Sequence, residues 1–147
     1  VDEFNEKFFV KLRKPRNATI ADNKGVATIK NDDLTTISIS DAKVTEGDSD
    51  ENNGSFQVTL DQKSPRTVKV DYETKDSTAI NGSDYRSKTG TIKFQPGQTK
   101  KIIQIPIIGD EKVEKQEYFW VELSNSQNAD IDNKNRAGLG TIQDNDE

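Results

Sequence analysis

Apolar and polar residues alternate with a period of two along most of the chain, as Ile37 and Ile39 do with the serines that follow them. Successive side chains of a β-strand point to opposite faces, so this period predicts strands with one buried and one solvated face. No window has the 3.6-residue period of an amphipathic helix. Similar apolar faces occur in the runs 56–60, 68–72, 92–94, 103–107, 119–123 and 139–142. The pattern therefore predicts an all-β fold.

Turn-forming residues separate these runs. Asn-Asn-Gly stands at 52–54, Lys-Ser-Pro at 63–65, and Pro96-Gly97 has the order typical of a type II turn. Short strands at this spacing indicate an antiparallel β-sandwich. Pro106 has no N–H to donate to a neighbouring strand, so we expect it at a bulge or at the edge of a sheet.

An internal repeat relates the first part of the chain to the last. Phe-Phe-Val-Lys-Leu at 8–12 matches Phe-Trp-Val-Glu-Leu at 119–123, and Thr-Ile-Lys-Asn-Asp at 28–32 matches Thr-Ile-Gln-Asp-Asn at 141–145. The first pair is 111 residues apart and the second 113, so the later copy has two extra residues in its loop. Such self-similarity predicts two copies of one structural unit.

The repeat divides the chain into two regions. Residues 1–33 are interpreted as the last two strands of one repeat, and residues 34–147 as a complete following repeat. Asn31-Asp32-Asp33 runs almost directly into the strand at Thr35, so we expect no linker between the two regions.

The composition narrows the chemistry that the chain can perform. Hydrophobic residues make up 30% of its 147 residues, and 21 basic against 26 acidic side chains leave a net charge of −5. Without Cys or His, the chain has no thiolate, no zinc–sulfur site and no imidazole base. The acidic balance argues against nucleic acid, and no apolar run approaches the roughly 18 residues that would predict membrane insertion. The remaining carboxylate, amide and hydroxyl oxygens suit hard cations, above all calcium.

Six short phrases across residues 34–147 point to a known family. They are Val44-Thr45-Glu46-Gly47, Gly82-Ser83-Asp84-Tyr85, Gly90-Thr91-Ile92-Lys93-Phe94, Pro96-Gly97-Gln98-Thr99, Ile107-Ile108-Gly109-Asp110 followed by Glu114 and Glu117, and Gly140-Thr141-Ile142 before Asp144-Asn145-Asp146. In this order they resemble the Calx-β domain. The resemblance implies an immunoglobulin-like antiparallel β-sandwich of about seven strands, plus an N-terminal β-hairpin from a preceding repeat.

The resemblance also implies a calcium site, built from acids of several loops that meet at one end of the sandwich. Gly109 and Asn145 stand where the best calcium sensors carry further acids. We therefore expect one or two calcium ions at most, bound less tightly than in those sensors. The implied ligands are Glu46, Asp76, Asp110, Glu114, Glu117, Asp144 and Asp146.

Three functions from different classes follow from the resemblance. The first hypothesis is a calcium-binding structural or adhesion module of a tandem-repeat protein, extracellular or at the cell surface, in which calcium stiffens the junction between repeats. The alternatives are a calcium-sensing regulatory domain in a cytoplasmic loop of a sodium–calcium exchanger-like transporter, and a module that binds carbohydrate or protein. We expect no enzyme, because Glu114 and Glu117, the one pair of acids suggestive of a glycosidase, lack a substrate groove around them.

The expected partners are neighbouring Calx-β repeats. A homo-oligomer that exchanges residues 1–33 is a further possibility, since that segment resembles the closing strands of the complete repeat. In that case Glu3, Glu6, Asp32 and Asp33 would replace the acids of the later copy as ligands. Alternatively, the hairpin adds strands to an open edge of its own module.

Further positions carry weaker predictions. The run 48–51 is interpreted as a solvated hairpin tip, and Trp120 is expected on the outer face of its strand. Asn17, Asn53 and Asn81 each begin a glycosylation sequon. The residues predicted to be buried are Phe56, Val70, Phe94, Ile105, Phe119 and Val121.

Overall fold

The computed structural model describes residues 1–48 and 51–146, and across these residues the regular structure is entirely β. The predicted all-β class is therefore confirmed. No helix in the described part of the chain could cross a membrane. The strands are β1 (Glu6–Lys11), β2 (Lys24–Ile29), β3 (Thr35–Ile39), β4 (Ala42–Thr45), β5 (Asn52–Leu60), β6 (Val68–Asp76), β7 (Thr89–Phe94), β8 (Lys100–Ile107), β9 (Glu117–Gln127), β10 (Ala129–Ile131) and β11 (Ala137–Gln143).

Strands β3 to β11 form two sheets. One has the order β10-β3-β5-β8 and the other the order β4-β11-β9-β6-β7. The strand that follows Asp33 is divided between them, because β3 pairs with β5 and β4 pairs with β11. At the break, Ser40 N donates to Gln57 O (2.9 Å) and Leu139 N donates to Asp41 Oδ1 (2.8 Å), which ties the crossing segment to both sheets.

Counting β3 and β4 as one interrupted strand gives the seven predicted strands, and the short β10 is an addition. Pro106 lies in β8 at the edge of its sheet, as the missing N–H requires. Trp120 lies on the outer face of β9 and is 38% exposed.

The core lies between the two sheets, and Phe119 is at its centre. Its ring stacks on Tyr85 at 4.5 Å and meets Phe56 edge-on at 5.7 Å. A Cβ at Gly140 would lie 2.4 Å from the Phe119 ring, so only glycine allows this close packing of β11 on β9. All six residues predicted to be buried are buried: Phe56, Val70, Phe94, Ile105, Phe119 and Val121.

Strands β1 and β2 form a two-stranded sheet of their own. The alternative in which this hairpin adds strands to an edge of its own module is therefore wrong. The hairpin contacts the module at its base, where Arg66 pairs with Asp2 at 2.5 Å. Apolar side chains on both faces of the hairpin remain exposed: Phe8, Phe9, Val10, Leu12, Val26 and Ile29.

Candidate metal centre

The pairing of β4 with β11 brings two acids of distant sequence position to one end of the sandwich. The two strands are parallel, and their last pair is Thr45 with Gln143. Parallel strands end at the same edge of a sheet, so Glu46 and Asp144, the next residue on each, leave the sheet side by side. Glu46 N donates to Gln143 O at 2.9 Å and continues the ladder into the loop.

Glu46, Asp144 and Asp146 form the first acidic group, in which one carboxylate oxygen of each residue lies within 4.8 Å of the others. Two oxygens that bind one calcium ion at about 2.4 Å lie at most about 4.8 Å apart, so one ion can bridge this group. Glu46 is 5% exposed, and its Oε1 has no hydrogen-bond partner among the described residues; Asp146 Oδ2 is likewise buried and unpaired. Buried carboxylate oxygens without donors are the partners that a cation would supply.

Asp84, Glu114 and Glu117 form the second acidic group, with the same 4.8 Å spacing between carboxylate oxygens. Glu117 begins β9 and pairs with Ile142 of β11, so it lies at the same end of the sheet as the first group. Asp84 belongs to the loop between β6 and β7, where its Oδ2 accepts from Ile80 N at 2.6 Å. All three residues are half-buried, and they also fit a bridging cation.

The two groups are connected through Asp144. Its Oδ2 accepts from Glu114 N (2.6 Å) and its Oδ1 accepts from Asp146 N (2.7 Å), so both oxygens are oriented by the backbone. Asp110 lies near the first group and pairs with Lys112 Nζ at 3.0 Å. The loop after β8 and the chain leaving β11 therefore meet at these carboxylates.

Burial and the charges of neighbouring acids raise the pKa values of two glutamates in the site. Burial, and then the charges of Asp144, Glu114 and Asp110, raise the pKa of Glu46 to about 7. Burial, and then Asp84 and Glu114, raise the pKa of Glu117 to about 7. A cation at this end of the sandwich would favour the ionised form of both carboxylates and so oppose both shifts.

This fold and its acidic site have counterparts among known proteins. The family model described as "Calx-beta domain" matches residues 30–146. The chain belongs to the Calx-β family. The resemblance drawn from its sequence phrases is thereby confirmed.

Curated relatives of this Calx-β domain are ion exchangers. The chain is 44% identical over 78 residues to sodium/calcium exchanger 1 of Canis lupus familiaris and of Bos taurus. It is 40% identical over 78 residues to sodium/calcium exchanger 3 of Homo sapiens. These matches cover 51% of this chain and 8% of each relative, so the chain corresponds to a small part of those proteins.

Two solved structures share the fold. The apo-form Calx CBD1 domain superposes with a TM-score of 0.66 at 24% identity, over 78% of this chain and 100% of that one. The CBD12 structure from CALX1.2 gives a TM-score of 0.68 at 24% identity, over 76% of this chain and 46% of that one. The immunoglobulin-like Calx-β sandwich is thereby confirmed as the fold.

Among the seven acids predicted as ligands, Asp110 and Asp76 lie outside both acidic groups; Asp110 lies beside the first group, and Asp76 makes other contacts. Its Oδ1 accepts from the hydroxyl of buried Tyr85 at 2.5 Å and from Asn81 N at 3.0 Å. Burial and Asp76 raise the pKa of Tyr85 well above its ordinary value, so this hydroxyl stays protonated and donates. The contacts indicate that Asp76 holds the β6–β7 loop in place and thereby positions Asp84.

Asp84 is the acid that the sequence analysis did not assign. It stands within the phrase Gly82-Ser83-Asp84-Tyr85, which served only to identify the family. No local pattern marked Asp84 as a ligand, because it lies in the turn before Tyr85, where the two-residue alternation of a strand does not apply.

Of the other predicted positions, the acids of the hairpin lie away from the site, and Asp48 lies beside it. The base of the hairpin contacts Gln62 and Arg66, which follow the opposite end of β5 from Asn52. Within one chain, the four acids proposed as ligands in a strand exchange are thus not brought to the acidic groups. These acids are Glu3, Glu6, Asp32 and Asp33. In the predicted tip 48–51, residues 49 and 50 lie outside the described residues; Asp48 accepts from Asn145 Nδ2 at 2.5 Å.

Proposed function

We propose that this Calx-β domain is a calcium-binding regulatory module. The observation that carries the proposal is the convergence of two carboxylate groups at one end of the sandwich, with unpaired buried oxygens on Glu46 and Asp146. A fold gains nothing from burying carboxylates that repel one another, unless a ligand compensates for them in one of its states. The role proposed is binding rather than catalysis, in keeping with relatives named for ion exchange.

The donor set suits calcium. Calcium takes about six to eight oxygens, a coordination that allows both monodentate and bidentate carboxylates. The first group would supply Glu46, Asp144 and Asp146, and the second would supply Asp84 and Glu117. Glu114 belongs to the second group, and its backbone N–H orients Asp144 of the first. Asp110 adds negative charge beside the first group, and its pairing with Lys112 leaves it available only after that ion pair opens.

The arrangement also explains how binding would act as a signal. The acids come from the loops after β4, β6 and β8, from the start of β9 and from the chain after β11, and they converge at this end of the sandwich. Without an ion these loops carry mutually repelling charges, and with an ion they share one counter-charge. Calcium would therefore tighten the loop 108–116 against the chain after β11. The resulting change in the direction of the backbone after β11 is the conformational change by which a regulatory domain would act.

The similarity to exchangers favours the regulatory alternative over the adhesion module. The curated relatives are sodium/calcium exchangers, and a Calx-β domain in a cytoplasmic loop of such a transporter is the setting we propose. The matched chain of CALX1.2 is about twice as long as the aligned region and carries the name CBD12, which supports neighbouring Calx-β units as partners. The comparisons give no support to an extracellular or cell-surface location.

Isothermal titration of the 147-residue chain with calcium, and separately with magnesium, tests the proposal. We expect one or two calcium ions to bind, and magnesium to bind more weakly because it requires strict octahedral geometry. Asp144→Asn should weaken the first group and Asp84→Asn the second. Each should lower affinity by at least about tenfold, since even residues that only orient a ligand change metal affinity about 10- to 100-fold.

The matched control is Asp130→Asn. Asp130 is an exposed acid on β10, which pairs with the start of β3 far from both groups. The control should bind calcium as the unchanged chain does. No heat of calcium binding at millimolar concentration, or equal losses in all three variants, would contradict the proposed function.

A further inference from the structure

The β1–β2 hairpin reproduces, pair for pair, the pairing of β9 with β11. Phe8 lies opposite Ala27, as Phe119 lies opposite Gly140. All six pairs of the hairpin correspond in this way. Each residue of β1 corresponds to the residue of β9 that lies 111 positions later, and each residue of β2 to the residue of β11 that lies 113 positions later. An unrelated hairpin with the same composition would have no reason to adopt this register.

The correspondence continues beyond the paired residues. Leu12 N donates to Asn23 O at 2.9 Å, and the equivalent Leu123 N donates to Arg136 O at 2.8 Å. The same holds for the turn that follows the second strand of each pair. In the hairpin the side chain of residue 31 accepts from the backbone N–H of residue 33 at 3.3 Å, and residue 144 accepts from residue 146 at 2.7 Å.

The two strand pairs differ in what covers them. The inner face of the hairpin, defined here as Phe8, Val10, Leu12 and Ile29, has side chains that are 51% to 57% exposed. The four equivalent side chains of β9 and β11 are 0% to 2% exposed. In the module, that face is covered by β5 and β8, and β6 and β4 extend the sheet on its two sides.

We propose that the hairpin is the closing pair of strands of a second Calx-β sandwich, and that the partner it receives is the body of that sandwich. The body is defined here as the strands equivalent to β3–β8. One sheet of the body would cover the inner face, and the strand equivalent to β6 would pair with the free edge of β1. The strand equivalent to β4 would pair in parallel with the free edge of β2, as β4 pairs with β11.

A second copy of this chain cannot cover the inner face of every hairpin, because the numbers of bodies and closing pairs do not match. The described residues of each 147-residue copy form one body, β3–β8, and two closing pairs, β1–β2 and β9–β11. Two chains that exchange closing pairs still have two bodies for four pairs, so two inner faces remain exposed. Exchange therefore gives no net burial of apolar surface, and the partner is a body that lies outside these 147 residues.

The base of the hairpin is built to hold such a partner in one position. Asp2 is 4% exposed; its Oδ1 accepts from Arg66 Nη1 at 2.5 Å and from Asn31 Nδ2 at 2.9 Å. Asp2 N donates to Gln62 Oε1 at 3.2 Å, which ties the same residue to the loop after β5. The guanidinium of Arg66 supplies positive charge at this junction and, through its pair with Asp2, would help to orient the second sandwich.

The test supplies a body of known sequence. A copy of residues 34–111 is placed directly before Val1, so that the full 147-residue chain is kept and each closing pair has one body. Amide hydrogen exchange of Phe8 and Val10 is then measured in the extended and in the unextended chain. We expect exchange at these amides to slow by at least about 100-fold in the extended chain, because a covered central strand opens far less often than an exposed hairpin.

Phe8→Gln and Phe9→Gln provide a matched pair of variants. Both side chains are about half exposed in this chain, at 51% and 54%, but Phe9 corresponds to the outer-facing Trp120. Protection in the extended chain should be lost with Phe8→Gln and kept with Phe9→Gln. Unprotected hairpin amides in the extended chain, whatever the state of the added body, would overturn the proposal. So would equal effects of the two variants, or an unextended chain that self-associates at micromolar concentration with a protected hairpin.

Discussion

The free energy of unfolding should fall between about pH 4.5 and pH 7.5, and replacing Glu46 by Gln should remove the part of this fall that Glu46 causes. In the folded chain without metal, the pKa of Glu46 is about 7 against an ordinary value of 4.5. The folded state therefore binds the proton more tightly than the unfolded state does. Stability that this group contributes is complete below pH 4.5, declines as the pH rises toward 7, and is gone above it.

The magnitude follows from the same two values. One pKa unit corresponds to about 1.4 kcal/mol, so the free energy of unfolding should fall by about 3 kcal/mol between pH 4.5 and pH 7.5 because of Glu46. Glu46 is 5% exposed, so solvent does little to weaken the effect. The pKa of Glu117 is raised to about 7 as well, so part of the slope should remain in Glu46→Gln.

Urea unfolding followed by Trp120 fluorescence, in metal-stripped buffers from pH 4.5 to 7.5, measures the effect. The unchanged chain should show the full decline, and Glu46→Gln a decline smaller by about 3 kcal/mol. Glu73→Gln, an exposed glutamate in β6, is the control and should follow the unchanged chain. A decline that is the same in Glu46→Gln, or stability that rises with pH over this range, would refute the electrostatic argument. Saturating calcium should abolish the difference in slope.

Three further predictions concern binding and packing. Calcium at a hundredfold excess over its dissociation constant should stabilise the module by about 2.7 kcal/mol, or about 10 °C in Tm by calorimetry, and Asp144→Asn with Asp146→Asn should remove the gain. Phe119→Ala should cost about 3–5 kcal/mol in urea unfolding, because the ring is fully buried; a cost below about 1 kcal/mol would mean that the packing is wrong. Tyr85→Phe should cost about 1.5–3 kcal/mol in urea unfolding through loss of the hydrogen bond to the Asp76 carboxylate; a cost below about 0.5 kcal/mol would mean that this bond does not hold the loop in place.

Local pattern was enough to identify the strands, their faces and the chemistry of the loops. The period of two placed Phe119 and Val121 inside and Trp120 outside, because a strand's alternation depends only on its own sequence. The absence of His and Cys left oxygen ligands as the available chemistry for a metal. The repeat at 8–12 and 119–123 predicted two similar strand pairs, and the two pairs have the same register in the structure.

The tertiary structure decided which acids meet. Glu46 and Asp144 are neighbours only because the strand after Asp33 crosses between sheets and its second half pairs in parallel with β11. Asp76 and Asp84 are eight residues apart in one loop region, and the sequence gives no reason to prefer either as a ligand. The structure separates them, because burial of Tyr85 in the core gives Asp76 a hydroxyl donor and leaves Asp84 facing Glu114 and Glu117. The periodicity of a strand is set within a few residues, whereas the partner of a carboxylate is set by elements far away in the chain.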